Sequence, residues 1–139
     1  MEQLRQLVWE PRYTVHVEEL DAQHQRLFNI TNDILALSES GSDELYASLQ
    51  ALVDYLCTHI RAENVVMIES HYPGYAQQSA QHTQFIDKML HFLNSYKEDQ
   101  QNLSHEIVSY LHHWIFSHTT NLDLKYGEHL LRTRAAQQP

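Results

Sequence analysis

The feature that most constrains the fold is a set of four segments in which apolar residues recur every three or four positions. This spacing is that of one face of an α-helix, and the segments span about 20–38, 43–70, 76–97 and 103–131. The clearest is the second, whose apolar face carries Leu45, Leu49, Leu52, Leu56, His59, Glu63 and Met67. Helices joined by short connections pack as neighbours. The pattern therefore predicts an all-α protein, an antiparallel up-down-up-down four-helix bundle with an N-terminal arm.

The length of the chain is that of one domain. At 139 residues, it can bury a single core without splitting into separate domains. We expect one domain over 1–139, with the arm at 1–19, the bundle at 20–131, and a tail or the start of a linker at 132–139.

Charge and composition argue against several classes of protein. The net charge of -9 disfavours binding to nucleic acid or anionic membranes, which requires clustered Lys and Arg. The opening residues contain no long apolar run, so we expect neither a signal peptide nor a membrane span. A single cysteine, Cys57, excludes an internal disulfide and favours the reducing cytoplasm.

Histidine is the residue type that is over-represented, with 11 copies. Four of them lie on the apolar faces, one in each predicted helix: His24, His59, His82 and His118. In an antiparallel bundle, residues equidistant from the connecting loop lie at the same height. The midpoint of His24 and His59 falls in the first break, and that of His82 and His118 in the third. The pattern predicts one polar layer across the core, with Glu63 beside the histidines.

Such a layer needs a source of positive charge. A buried carboxylate among imidazoles is costly without a cation, and both groups are good ligands for transition metals. The residues therefore favour a metal site, although a pH-responsive network of buried histidines remains an alternative. Spacing alone does not distinguish iron, manganese and zinc, but the lack of cysteine on the apolar faces argues against a structural zinc site.

Four motifs resemble those of the hemerythrin-like domain, in particular the bacterial hemerythrins. They are LDAQHQRLF around His24, HIRAENVVM with His59 and Glu63, HYPGYAQQSAQHTQF with His82, and WIFSHTTNLDLKY with His118 and Asp123. They occur in the family's order and cover nearly the whole chain. The resemblance implies a four-helix bundle that holds two non-haem irons, bridged by a glutamate, an aspartate and an oxygen species.

The resemblance also implies a role for each matched residue. His24 and His59 would ligate one iron, His82 and His118 the other, and Glu63 and Asp123 would bridge both. Asp123 follows His118 by five residues, which is about 140° off a regular helical face. The family's aspartate has this spacing, so we expect a local wide turn in the helix here.

One position departs from the family pattern. Where the family has a further histidine, four residues before His82, this chain has Gln78. An amide oxygen is a weaker iron ligand than imidazole, so we expect an open iron position there, occupied by water, hydroxide or a small anion. Alternatively, Gln78 coordinates weakly or His71 moves in from the neighbouring turn.

We interpret the chain as a non-enzymatic diiron domain that senses oxygen or redox state. Its partner would be dioxygen or another small diatomic molecule or anion, and a covalently linked signalling output domain is one option. The alternatives are an oxygen carrier or storage protein, and a diiron oxidase or peroxidase-like enzyme that uses the open position. Against an enzyme, no further acid–base pair stands out on the apolar faces.

Overall fold

The computed structural model describes residues 4–41, 43–96 and 100–137, and it contains helices and no strand within these ranges. The elements are a 3₁₀ turn at Pro11–Tyr13, α1 at Glu18–Ser40, α2 at Leu45–Glu69, α3 at Tyr75–Tyr96, α4 at Gln100–Ser117, a π-helical turn at His118–Leu122 and α5 at Asp123–Gln137. The π turn joins α4 to α5 without a break. Both α1 and α3 pack against α2 and α4, which confirms the predicted four-helix bundle.

The helix ends follow from local sequence. Gly41 adopts a left-handed conformation (φ 67°) and its N–H donates to the last carbonyls of α1, as is common at helix C-termini. At the end of α2, His71 also has a positive φ of 56°. Pro73 and Gly74 follow and prevent continuation of the helix. The described helices include none that is both long and apolar enough to cross a membrane.

The helices extend beyond the predicted bundle boundaries of 20–131. Helix α1 begins at Glu18, and α5 continues to Gln137, through most of the segment 132–139 that was expected to be a tail or linker. This last part has no apolar periodicity. It is held by polar contacts, in which Arg134 Nη1 donates to the carbonyl of His16 at 2.5 Å. The predicted end of the third helix, Lys97, lies outside the described residues.

The N-terminal arm packs on the bundle through its backbone. Asn32 on α1 accepts a hydrogen bond from the Leu7 N–H at 2.7 Å and donates to the Leu7 carbonyl at 2.9 Å. Gly127 on α5 provides a second contact, because a Cβ there would lie 2.8 Å from the Cα of Val15. The arm thereby carries Trp9 to within 6.3 Å of the His24 ring, measured between centroids.

The core consists of two apolar clusters. The larger includes Leu49, Leu52, Phe85, Met89 and Leu111. The smaller is formed by Val15, Leu20, Met67, Tyr126 and Leu130. Leu20 lies one turn before His24, and Met67 one turn after Glu63. The predicted polar layer is therefore flanked on this side by the smaller cluster.

Candidate metal centre

The four histidines of the predicted layer are all buried, each on a different part of the bundle. His24 is on α1, His59 on α2 and His82 on α3, while His118 begins the π turn. Their exposed fractions are 6% or less, and both Glu63 and Asp123 are fully buried. The structure thus brings all six sequence-derived candidates into the core.

Five of the six residues form two overlapping groups with metal-ligand geometry. His24, His59 and Glu63 make one group, and Glu63, His82 and His118 the other, with the candidate ligand atoms of each group within 4.8 Å of one another. Glu63 belongs to both groups. Two adjacent cations sharing one carboxylate would fit this arrangement.

Asp123 contacts histidines of both groups. Its Oδ2 lies 3.2 Å from His24 Nε2, and its Oδ1 lies 3.1 Å from His118 Nε2. The π turn makes this placement possible, since the Asp123 N–H donates to the carbonyl of His118, five residues earlier. The widened turn brings residue i+5 back to the face of residue i. The expected local wide turn is therefore present.

Two close contacts of ring nitrogens indicate a proton or a cation between the paired atoms. His82 Nε2 lies 2.9 Å from His118 Nε2, and His59 Nε2 lies 2.5 Å from Glu63 Oε1. Two lone pairs at 2.9 Å repel unless a proton or a cation interacts with both. Nitrogens about 2.1 Å from one metal and at right angles are themselves separated by about 3 Å. The His82–His118 distance therefore fits two ligands of one metal.

The electrostatics of the layer also require positive charge. Burial alone would lower the pKa of His24, but Asp123 and Glu63 outweigh it and raise the pKa to about 10. Burial and the neighbouring His118 lower the pKa of His82 to about 4. Burial would raise the pKa of Glu63, yet the adjacent His59 and His24 hold it well below its usual value. An ionised carboxylate in the core must be balanced, by protonated imidazoles or by bound cations.

A small cavity lies between the two groups. It leaves about 10 Å³ for the centre of a water-sized sphere, close to the room that one water needs. The predicted ligands that line it are joined by Leu27, Leu56, Ile60, Trp114, Ile115 and Thr119. Buried atoms without a hydrogen-bond partner in the described part of the chain include His24 Nε2, His59 Nε2, both Glu63 oxygens and Asp123 Oδ2. These donors are of the kind that hold transition metals, so the residues fit such ions.

Sequence reasoning missed Gln23, which orients one of the candidate ligands. Its Oε1 lies 2.5 Å from His59 Nδ1. This contact places the proton on Nδ1 and leaves Nε2 free toward Glu63. Hydrogen bonds of this kind are typical of metal-binding histidines. The signal in the sequence is weak, since Gln23 merely precedes His24 on a different side of the helix.

Gln78 is buried at the edge of this layer. Its Nε2 donates to Asp123 Oδ1 at 2.7 Å, whereas its Oε1 has no hydrogen-bond partner among the described residues. Gln78 is not one of the residues that line the cavity. The amide nitrogen thus already donates a hydrogen bond to Asp123, and the amide oxygen is the atom that could contact a bound ligand.

His71 does not lie at the site. It is exposed in the turn after α2 and is not among the residues that line the cavity. The suggestion that it neighbours the site or takes the position left by Gln78 is therefore not supported by its location. Two other histidines have structural contacts: His112 bonds to the Arg5 carbonyl and His129 to that of Ser70.

Comparisons with known proteins agree with this geometry. Residues 15–130 match the family model described as the hemerythrin HHE cation binding domain. Hemerythrin subunit 2 of Golfingia vulgaris is 30% identical over 121 residues, covering 86% of this chain and 89% of that protein. A bacteriohemerythrin of Methylococcus capsulatus is 22% identical, with 77% and 82% covered.

Structural comparison gives the same fold. A crystallised hemerythrin variant superposes with a TM-score of 0.80 and 21% identity, covering 89% of this chain and 96% of that one. The sequence relatives also include a myohemerythrin of Riftia pachyptila, 26% identical over 88% of this chain and 92% of that protein. These relatives bear the names of hemerythrins and not of enzymes, in agreement with the predicted non-enzymatic role.

Proposed function

Because the chain belongs to the hemerythrin HHE cation-binding family, we propose that its polar layer holds two non-haem irons that react with dioxygen. The observation that carries this proposal is the pair of buried ligand groups that share Glu63. His24 and His59 fall in one group and His82 and His118 in the other, so a single cation would not reach all four histidines. Two cations use all of them.

In this proposal, each residue has a defined task. His24 and His59 would hold one iron, His82 and His118 would hold the other, and Glu63 and Asp123 would contribute carboxylate ligands to both. When bound, the irons would supply the change of oxidation state that reaction with dioxygen requires. The apolar residues Leu27, Leu56 and Ile115 line the cavity and exclude bulk water, which favours a ligand of diatomic size.

We further propose that the domain senses oxygen or redox state in the cytoplasm and does not store oxygen. Gln78 stands where the family pattern has a histidine, and its amide donates a hydrogen bond to Asp123. The chain therefore has no imidazole at this position. An iron held by His82 and His118 would then have only two histidines and would be open to small ligands. Easier access favours rapid oxidation, which suits a switch better than a carrier. In a larger signalling chain, the domain would act as the input.

The first prediction is that the protein, expressed with ample iron, binds two irons per chain. In air, the reduced protein should give a coloured product or a single oxidation visible in its absorption spectrum. Elemental analysis and a visible spectrum of the air-exposed protein measure both. One metal per chain, or mostly zinc, would contradict the diiron proposal. Sustained oxygen consumption with a reductant would instead favour an oxidase.

The second prediction concerns Gln23. Gln23→Ala removes the hydrogen bond that fixes the ring of His59, and loss of such a partner typically weakens metal binding about 10- to 100-fold. Competition with a chelator measures the affinity. Gln25→Ala is the matched control, because Gln25 is an exposed glutamine two residues further along the same helix. Equal affinities for the two variants would show that Gln23 does not position His59.

A further inference from the structure

A column of stacked rings leads from His118 toward the protein surface. The Trp114 ring lies nearly parallel to that of His118, with centroids 4.3 Å apart and planes at 11°. Phe85 from α3 stacks on two further rings of the fourth helix. Its centroid lies 3.8 Å from that of Trp114, with planes at 12°, and 5.7 Å from that of Tyr110, with planes at 23°. We call these four rings, His118, Trp114, Phe85 and Tyr110, the aromatic column.

The column has one end at the site and the other near solvent. His118 is a proposed iron ligand, and Trp114 lines the cavity. Tyr110, Trp114 and His118 are spaced by four residues along the fourth helix, so they are neighbours on one helical face. Trp114 and Tyr110 are half-buried. The exposed ammonium of Lys88 lies 4.7 Å from the centroid of the Tyr110 ring.

We propose that the aromatic column carries electrons between the iron site and the surface. This inference rests on the proposed diiron function. Electron transfer falls steeply with distance, and these rings are in or near van der Waals contact. Among side chains that contain no sulfur, indole and phenol are the most easily oxidised by one electron. They occupy the two half-buried positions of the column. Phe85 fills the space between them.

The column can supply the two electrons and two protons that reduce hydrogen peroxide at an already oxidised site. Hydrogen peroxide takes one electron and the indole proton from Trp114, and one electron and the phenol proton from Tyr110. Its O–O bond breaks, and the two electrons and two protons complete two molecules of water. The resulting neutral radicals on Trp114 and Tyr110 are then reduced at the surface by a one-electron donor such as ascorbate. The column thereby spares the ligand histidines from oxidation.

The second tryptophan provides an internal comparison. Trp9 lies 6.3 Å from the ring of His24 with the planes tilted by 34°. It packs edge-on against Tyr13 and Phe28. Trp9 thus also lies beside a proposed ligand, but its ring is farther away, at 6.3 Å against 4.3 Å for Trp114, and is not stacked on the imidazole. Transfer through contact predicts oxidation of Trp114 before Trp9.

The test is hydrogen peroxide added to the oxidised, iron-loaded protein, with freeze-quenched electron paramagnetic resonance and peptide mass spectrometry as readouts. We expect a protein radical and several-fold more oxygen addition at Trp114 than at Trp9, both suppressed by ascorbate. Trp114→Phe keeps an aromatic ring in the stack. It should remove the Tyr110 radical and shift oxidation to His82 and His118. Trp9→Phe is the matched control and should leave the pattern at Trp114 unchanged.

Several results would overturn the inference. Equal oxidation of the two tryptophans, the same pattern in iron-free protein, or an unchanged Tyr110 radical in Trp114→Phe would each exclude transfer through the column. Metal content measured beforehand separates the two proposals. A protein that binds no iron overturns both, whereas two irons together with any of these results overturn the column alone.

Discussion

Replacing Glu63 with alanine is expected to prevent the binding of at least one of the two irons. Glu63 is fully buried, and it is the residue that belongs to both ligand groups. Its loss removes a negative charge facing both cations as well as one ligand from each. We expect affinity to fall by more than the roughly 100-fold that loss of a hydrogen bond behind a ligand can cost. Elemental analysis and the visible spectrum measure the loss.

Two further variants separate charge from packing and from surface effects. Glu63→Gln keeps the volume of the side chain, so it tests the carboxylate without the cavity that alanine leaves. Glu69→Ala removes an exposed carboxylate from the same helix and should be near neutral, as should His91→Ala on the surface of α3. Full iron content and an unchanged spectrum in Glu63→Ala would refute the role proposed for Glu63.

The bundle and most of the layer could be predicted because helical periodicity carries that information. His59 and Glu63 fall on the same apolar face as Leu52 and Leu56, so their burial follows from spacing. The height of His24 opposite His59 follows from their distances to the first loop. A short antiparallel connection leaves little freedom in this alignment. The structure was needed only to give the distances between these residues.

The rest of the site depends on features that regular periodicity does not encode. Asp123 reaches the core only because the helix widens by one residue after His118, and a uniform helix of 3.6 residues per turn would place it elsewhere. The resemblance to known motifs supplied that residue. The contact between Gln23 and His59 depends on the side-chain rotamer of Gln23, which residue spacing does not specify.

The C-terminal end of the last helix and the position of His71 could not be predicted from the sequence for a different reason. Residues 132–137 lack an apolar face, yet they belong to α5, and Arg134 bonds to the arm. This contact joins residues 118 positions apart. His71 was considered because its turn is close to the layer in sequence. The backbone of that turn directs it to solvent instead, and local sequence gave no information on this direction.

Gln78→His is expected to lengthen the lifetime of the coloured product formed with dioxygen and to weaken the binding of azide to the oxidised protein. In the present chain, Gln78 Nε2 donates to Asp123, and its Oε1 has no hydrogen-bond partner in the ranges that the structure describes. This oxygen can only accept a hydrogen bond, so it would favour a protonated ligand, such as water, beside the iron that we propose His82 and His118 hold. An imidazole at this position would bind the iron directly. It would close the open position and slow oxidation.

The control must add an imidazole without placing it in the core. Gln77→His does this, because Gln77 is exposed one residue earlier on the same helix, and it should leave both the lifetime and the azide affinity unchanged. Stopped-flow mixing with air gives the lifetime, and titration of the oxidised protein gives the affinity. Gln78 also supports Asp123, so iron content must be measured in each variant before the comparison. Two irons in Gln78→His with the lifetime and affinity of the parent would show that no position is open, and the carrier function would then be favoured over the sensor.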